Sequence, residues 1–200
     1  LGGHMTSAYD DSIWELIPTE PREPNPALAA LAAEFTAGAA AVLDLGCGDG
    51  TYLPSLAATA GDLYAADRSA VAIERARLRC ASAKFVNIGP GQRIPLDDNI
   101  FDRVWFCDTL EHVVDTQTVL SEIRRVLRPG GELLVVTPDH PRRLRLRLAF
   151  SGWERHFDPF SPHLRFYTAR SLGSALVDCG FERPRINRLE ANLVARAKRL

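Results

Sequence analysis

Asp44-Leu45-Gly46-Cys47-Gly48-Asp49-Gly50 is the stretch whose residue types and spacing most plainly serve chemistry. Glycines in a turn from a strand into a helix let the backbone reach a ligand with no Cβ in the way. A helix N-terminus adds N–H groups that lack partners within the helix. The spacing is GxGxG with Thr51 next, so the GxGxxG pattern that seats a pyrophosphate is incomplete. Asp44, two residues ahead of the first glycine, would repel a phosphate and suits the cationic end of a ligand. Asp67 follows Asp44 by 23 residues. It closes the next apolar run, where a carboxylate accepts two hydrogen bonds from ribose hydroxyls. Either acid alone is equally a helix N-cap; the pair, with glycines between, points to a nucleoside-bearing ligand.

A second group lies further along. Asp108, Glu111 and His112 have the three- and four-residue offsets that meet on one face of a helical turn. Two carboxylates and an imidazole there can act as a general base or hold a hard divalent ion, although four good ligands are not evident. His112 can equally be structural, bonded within the turn. The segment from Pro138 to Tyr167 contains Phe150, Trp153, His156, Phe157, Phe160, His163, Phe166 and Tyr167. So many aromatic and imidazole groups line a pocket for a flat or greasy acceptor, or serve as ordinary lid packing. In the same segment Arg142, Arg143, Arg145 and Arg147 alternate with leucines. They read as a gate for an anionic or membrane-dissolved acceptor, as a solvated surface, or as a homodimer contact.

Alternating strands and helices must position these residues. Asn25-Pro26 caps a helix to about Thr36 after an irregular Pro-rich segment. Strands are expected at 41–44, 63–66, 84–88, 103–107 and 132–137. Helices are expected at 52–60, 70–80 and 113–127, the last ended by Arg128-Pro129-Gly130-Gly131. Such alternation means right-handed crossovers and a parallel, doubly wound α/β sheet, with ligands beyond the carboxyl ends of the strands. A final helix capped by Thr168 and stopped by Gly180 leads to strands at 181–186 and 193–197, which read as an antiparallel hairpin.

The chain has 200 residues, 46% hydrophobic and 24% charged, which fits one domain over residues 5–200; Leu1 to His4, ahead of Met5, read as a cloning remnant. Net charge is −1, with 19 acidic and 11 basic residues in 1–138 against 6 and 13 in 139–200. That balance disfavours a dedicated nucleic-acid binder and hints at an anionic partner for the last third. No apolar run approaches the roughly 18 residues that span a bilayer, and no leader pattern opens the chain, so a cytoplasmic protein is expected. Cys47, Cys80, Cys107 and Cys179 are too dispersed for a zinc site and read as free thiols.

VLDLGCGDG, the Asp67 step, IPLDDNIFDRVWFCDTLEHVVD and LSEIRRVLRPGGELLVVTP together resemble the class I S-adenosylmethionine-dependent methyltransferases, over residues 40 to 190. The resemblance is to the small-molecule branch that includes the ubiquinone-biosynthesis enzymes. It implies a seven-stranded, mostly parallel sheet with a reversed final strand. It also implies S-adenosylmethionine as donor: Asp44 and Gly46, Cys47, Gly48 and Gly50 cradle the methionine part, Asp67 holds the ribose with Arg68 beside it, and Asp108 lies by the sulfonium. Relatives carry a GDAxxLPF-like segment whose Asp reaches the adenine amino group. Here Pro90 takes that place within Gly89 to Leu96, leaving adenine to backbone groups, Gln92 or apolar packing.

A His in a stretch like His163-Leu164-Arg165-Phe166-Tyr167-Thr168 points at the active site in relatives, which makes His163 a second candidate base beside His112. Displacement at a sulfonium needs alignment, a dry site and sometimes a base, so no metal is expected. The acceptor is expected to be a small molecule, anionic or aromatic, methylated at O, N or C. An ExxEH segment is associated with a metal in some quinone and RNA methyltransferases; the alternative is accordingly a metal-assisted enzyme on a quinone, a lipid or an RNA end. A non-catalytic nucleoside-binding protein and a nicotinamide oxidoreductase compete; GxGxG and the RPGG turn disfavour the second.

Overall fold

The computed structural model describes residues 7–89, 93–140 and 163–200. Its strands are β1 (Ala41–Leu45), β2 (Asp62–Asp67), β3 (Lys84–Asn87), β4 (Phe101–Cys107), β5 (Leu127–Pro138), β6 (Arg185–Leu189) and β7 (Asn192–Lys198). They form one seven-stranded sheet in the order β3-β2-β1-β4-β5-β7-β6. The first five pair in parallel, and β7 runs antiparallel between β5 and β6. The doubly wound sheet and the closing hairpin are therefore both present. Pro90, Gln92 and nearly all of the expected lid, residues 141–162, lie outside the described residues.

The central strands are apolar throughout because both faces of the sheet are covered. Alternate residues feed opposite layers. Leu43, Val104, Phe106, Leu133 and Val135 meet α5 (Thr116–Val126) and α6 (Ala169–Asp178) through Leu120, Ile123, Leu172 and Leu176. Val42, Trp105, Leu134 and Val136 meet α2 (Pro26–Thr36), α3 (Leu53–Ala57) and α4 (Ala70–Arg79) through Leu28, Phe35, Leu53, Leu56 and Ala76. Caps start these helices as the sequence signals: Asn25 accepts from the amides of Ala27 and Leu28, Ser69 from Ala72, and Thr168 from Ser171.

Four local expectations are corrected. A helix, α1 (Ser7–Leu16), occupies the start of the segment expected to be irregular. The helix expected from Val113 begins at Thr116, where Asp115 accepts from the Thr118 amide at 3.0 Å; ahead of it Leu110–His112 is a single 3-10 turn. Arg128-Pro129-Gly130-Gly131 does not separate helix from strand. It is an irregular part of β5, where Phe101 pairs with Leu127 but Arg103 pairs with Glu132. Phe181 contributes one bridge to Arg199, and the hairpin strand starts only at Arg185.

Candidate active site

Strand order reverses between β1 and β4, and the ends of two diverging strands open a crevice for a ligand. Gly46 follows β1 directly, and Asp108 and Thr109 follow β4. Thr109 crosses the crevice, its hydroxyl lying 2.8 Å from the Cys107 carbonyl oxygen and 3.4 Å from that of Gly46. A Cβ on Gly46 would fall 2.4 Å from both Thr109 Oγ1 and Cγ2, and Gly46 has φ +72°. Only glycine fits on both counts.

The loop spends its own amides. Gly46 and Cys47 both donate to the Ala66 carbonyl, at 2.7 and 3.1 Å, Gly48 donates to Asp67 Oδ2 at 2.9 Å, and Thr51 to Asp49 Oδ1 at 3.2 Å. The expected free N–H groups at a helix start are thus largely occupied, and α3 is only five residues long. An arrangement whose amides are largely taken and that carries two carboxylates is poor at holding a phosphate.

Those carboxylates differ. Asp44 is 4% exposed. Burial, with the nearby charge of Asp67 adding to it, pushes its carboxyl from an ordinary 3.8 to about 8. The native chain therefore keeps a proton that the unfolded chain loses above about pH 4, so Asp44 makes stability fall as pH rises between those values. Asp67 accepts from Gly48 on one oxygen and from the Ser69 amide on the other, each at 2.9 Å. Burial raises it, and its bonds from the amides of Ser69 and Gly48 act in the opposite direction. A carboxylate has about four lone-pair sites, so ribose hydroxyls can still be accepted. Arg68 turns its guanidinium to Asp10, at 3.3 Å. Cys47 and Cys107 are buried, and burial pushes both thiols up, which keeps them protonated and poor nucleophiles.

On the β4 side the expected cluster forms with altered geometry. Asp108 has φ +48°, a left-handed backbone that costs of order 1–3 kcal/mol for a non-glycine residue. It is exposed; desolvation raises its carboxyl, while the Cys107 thiol and the imidazoles of His112 and His163 act against that. The 3-10 turn sends Glu111 inward, 2% exposed, where it accepts from the Thr137 hydroxyl at 2.9 Å and burial raises its carboxyl. The Glu111 backbone carbonyl in turn receives the amides of Leu164 and Arg165 at 2.9 and 3.1 Å. That bond pair brings His163 to His112, ring centroids 4.8 Å apart and edge to face. Single ligand atoms of Glu111, His112 and His163 lie within 4.8 Å of one another. The set able to hold a divalent ion therefore contains His163 in place of the Asp108 expected from the sequence.

A family model described as a methyltransferase domain matches residues 43–135. A demethylmenaquinone methyltransferase of Tropheryma whipplei is 30% identical over 172 residues, covering 77% of this chain and 71% of that protein. The chain belongs to the class I S-adenosylmethionine-dependent methyltransferases. A Mycobacterium tuberculosis protein named a probable S-adenosylmethionine-dependent methyltransferase is 33% identical over 141 residues, 70% of this chain and 48% of its own length. The chain spans 30%, 48% and 60% of the length of three other curated relatives it matches. An S-adenosylmethionine-dependent methyltransferase structure from Aquifex aeolicus has the same fold, with a TM-score of 0.65 at 20% identity over 100% of both chains.

Two partners in this methyltransferase's site escaped sequence reasoning. Thr109 acts only because β4 lies beside β1, which no local pattern discloses. Thr137 carried a signal, a lone hydroxyl closing the apolar run Leu-Leu-Val-Val. Among the described residues no helix is long and apolar enough to cross a membrane.

Proposed function

We propose that this methyltransferase transfers the S-methyl group of S-adenosylmethionine to a small acceptor held beside His112 and His163. The observation that carries the reading is the imidazole pair of His112, in the 3-10 turn that follows β4, and His163, with strand order reversing between β4 and the β1 strand that leads into the glycine loop. The donor fits the residues present: its ammonium supplies the charge that buried Asp44 lacks, its ribose diol suits the remaining lone pairs of Asp67, and it brings no phosphate. When bound, it supplies a methyl carbon already activated by the positive sulfur. An electron pair of the acceptor atom forms a bond to that carbon, the C–S bond breaks and its electron pair stays on sulfur, giving a thioether. The chain aligns the two partners, excludes water, and takes the acceptor's proton on His112 or His163. The demethylmenaquinone relative, the exposed Leu164 and Phe166 in the same stretch as His163, and the aromatic composition of 150–167 support a flat, apolar ring as acceptor.

The acceptor side is tested with a short-chain demethylated naphthoquinol and labelled donor. His163→Ala is expected to lower turnover roughly hundredfold with donor affinity unchanged, and a chelator is expected to leave turnover intact. The cluster of Glu111, His112 and His163 supports a second reading. If the chelator abolishes turnover and Mg²⁺ or Mn²⁺ restores it, these residues are ligands and the base assignment falls.

Donor binding should also depend on pH. Free Asp44 is protonated below about 8, and pairing with an ammonium requires the ionised form, so binding expels a proton. Affinity is expected to rise as pH approaches that value and to fall again where the donor's own ammonium loses its proton, and calorimetry in buffers of different ionisation heat should register the proton expelled on the rising limb. In Asp44→Asn both the rise and the expelled proton should vanish; an affinity that does not rise with pH in the parent chain would remove Asp44 from the ammonium site.

A further inference from the structure

We propose that α1 is the outer wall of the donor site and that the Trp14 indole packs against the bound donor, an inference that rests on the donor reading above. Asp67 bridges two amides, those of Gly48 and Ser69, and α1 holds the same two residues from outside. At one side the Trp14 ring lies on Gly48, with two ring carbons 2.9 and 3.0 Å from where a Cβ at position 48 would stand. The second glycine of the loop is thus required by an indole as well as by its own backbone, whose φ is +54°. At the other side Asp11 Oδ1 accepts from the Ser69 hydroxyl at 2.7 Å and from the Val71 amide at 3.3 Å, and Asp10 pairs with Arg68 at 3.3 Å.

Arg75 fixes the far end. Its guanidinium stands 6.0 Å from the Trp14 ring centroid and donates to the Ile17 carbonyl at 3.1 Å. The helix therefore passes from the start of α4 to the glycine loop across Asp67, the residue assigned to the ribose. A donor bonded to Asp67 and lying along the loop is flanked by α1, and the indole is the large apolar face presented at Gly48. An indole face stacks on a purine and attracts a cation, and the donor carries both.

The chain has three tryptophans, Trp14, Trp105 and Trp153, so the part of an emission change that Trp14→Phe removes belongs to Trp14. The full chain is titrated with S-adenosylhomocysteine, following tryptophan emission and heat together. The parent chain is expected to bind with a change in emission that is lost in Trp14→Phe, which keeps most of the affinity. Trp14→Ala should weaken binding roughly tenfold. Asp11→Ala, which loosens α1 and leaves the indole in place, should weaken it too, whereas Asp11→Asn keeps an acceptor for Ser69 and should not. If Trp14→Ala does not fold, Trp14→Phe and Asp11→Ala still decide the matter. Parent-like affinity in Asp11→Ala and an emission change that persists in Trp14→Phe overturn the proposal while leaving the donor reading standing. No heat with the parent chain overturns the donor reading itself, and this inference with it.

Discussion

Gly46→Ala is expected to abolish measurable donor binding and to lower stability more than any other single change in the donor loop. Two independent penalties add. An alanine in the left-handed region that Gly46 occupies, φ +72°, costs about 1–2 kcal/mol. Its methyl would also stand 2.4 Å from two atoms of Thr109, and forcing extra volume into a packed contact costs about 1–3 kcal/mol. Thr109 has little room to yield, because its hydroxyl is bonded at 2.8 Å to the Cys107 carbonyl at the end of β4. Relief therefore means spreading β1 from β4, and that spreads the crevice in which the donor lies. For a chain of this size the combined cost lowers the melting temperature by roughly 5–15 °C. Scanning calorimetry and donor titration check it together. A variant with parental melting temperature and affinity would show that Thr109 swings aside and that the β1–β4 crevice is not the donor site.

The fold was legible because buried parallel strands have no polar face. Ala41–Asp44 and Glu132–Thr137 read as strands from their largely apolar runs, and their order with the helices is enough to specify a doubly wound sheet. The end of the chain was legible through caps and a stop, Thr168 and Gly180. Helix α1 was not, since Ser7–Leu16 owes its place to contacts with Gly48, Arg68, Ser69 and Arg75, all distant in sequence. The acid–imidazole group shows the limit within the site. Residue types named Asp108, Glu111, His112 and His163, but helical spacing ran unbroken through Val113 and hid the true start at Asp115. Asp115 with Thr116 and Thr118 was the available signal. The consequence is chemical: a 3-10 turn buries Glu111 and leaves His112 to meet His163. The glycine loop was named correctly, yet its amides are bonded to Ala66 and Asp67, a pairing that depends on β2 lying beside β1.

Asp67 offers the largest loss of donor affinity from one side chain. Each of its oxygens already holds a backbone amide at 2.9 Å, so its orientation is fixed before the donor arrives and no ordering cost remains to offset the new bonds. Two ribose hydroxyls donating to it form charge-assisted hydrogen bonds, each contributing about 1.5–3 kcal/mol, which corresponds to roughly a hundred- to ten-thousandfold in affinity for the pair. Asp67→Ala removes both and also strands the amides of Gly48 and Ser69. Asp67→Asn keeps an acceptor for one of these two amides, and its melting temperature beside that of Asp67→Ala separates the loss of the donor's bonds from a collapse of the loop. Calorimetric titration of the parent chain, Asp67→Ala and Asp67→Asn with S-adenosylhomocysteine, alongside NAD, tests the central claim most directly. One site per parent chain for S-adenosylhomocysteine, none for NAD, and weakened binding in both folded variants are the results expected. Binding of NAD, no binding of S-adenosylhomocysteine, or unchanged affinity in a folded Asp67→Ala would contradict a donor site at the β1–β4 crevice.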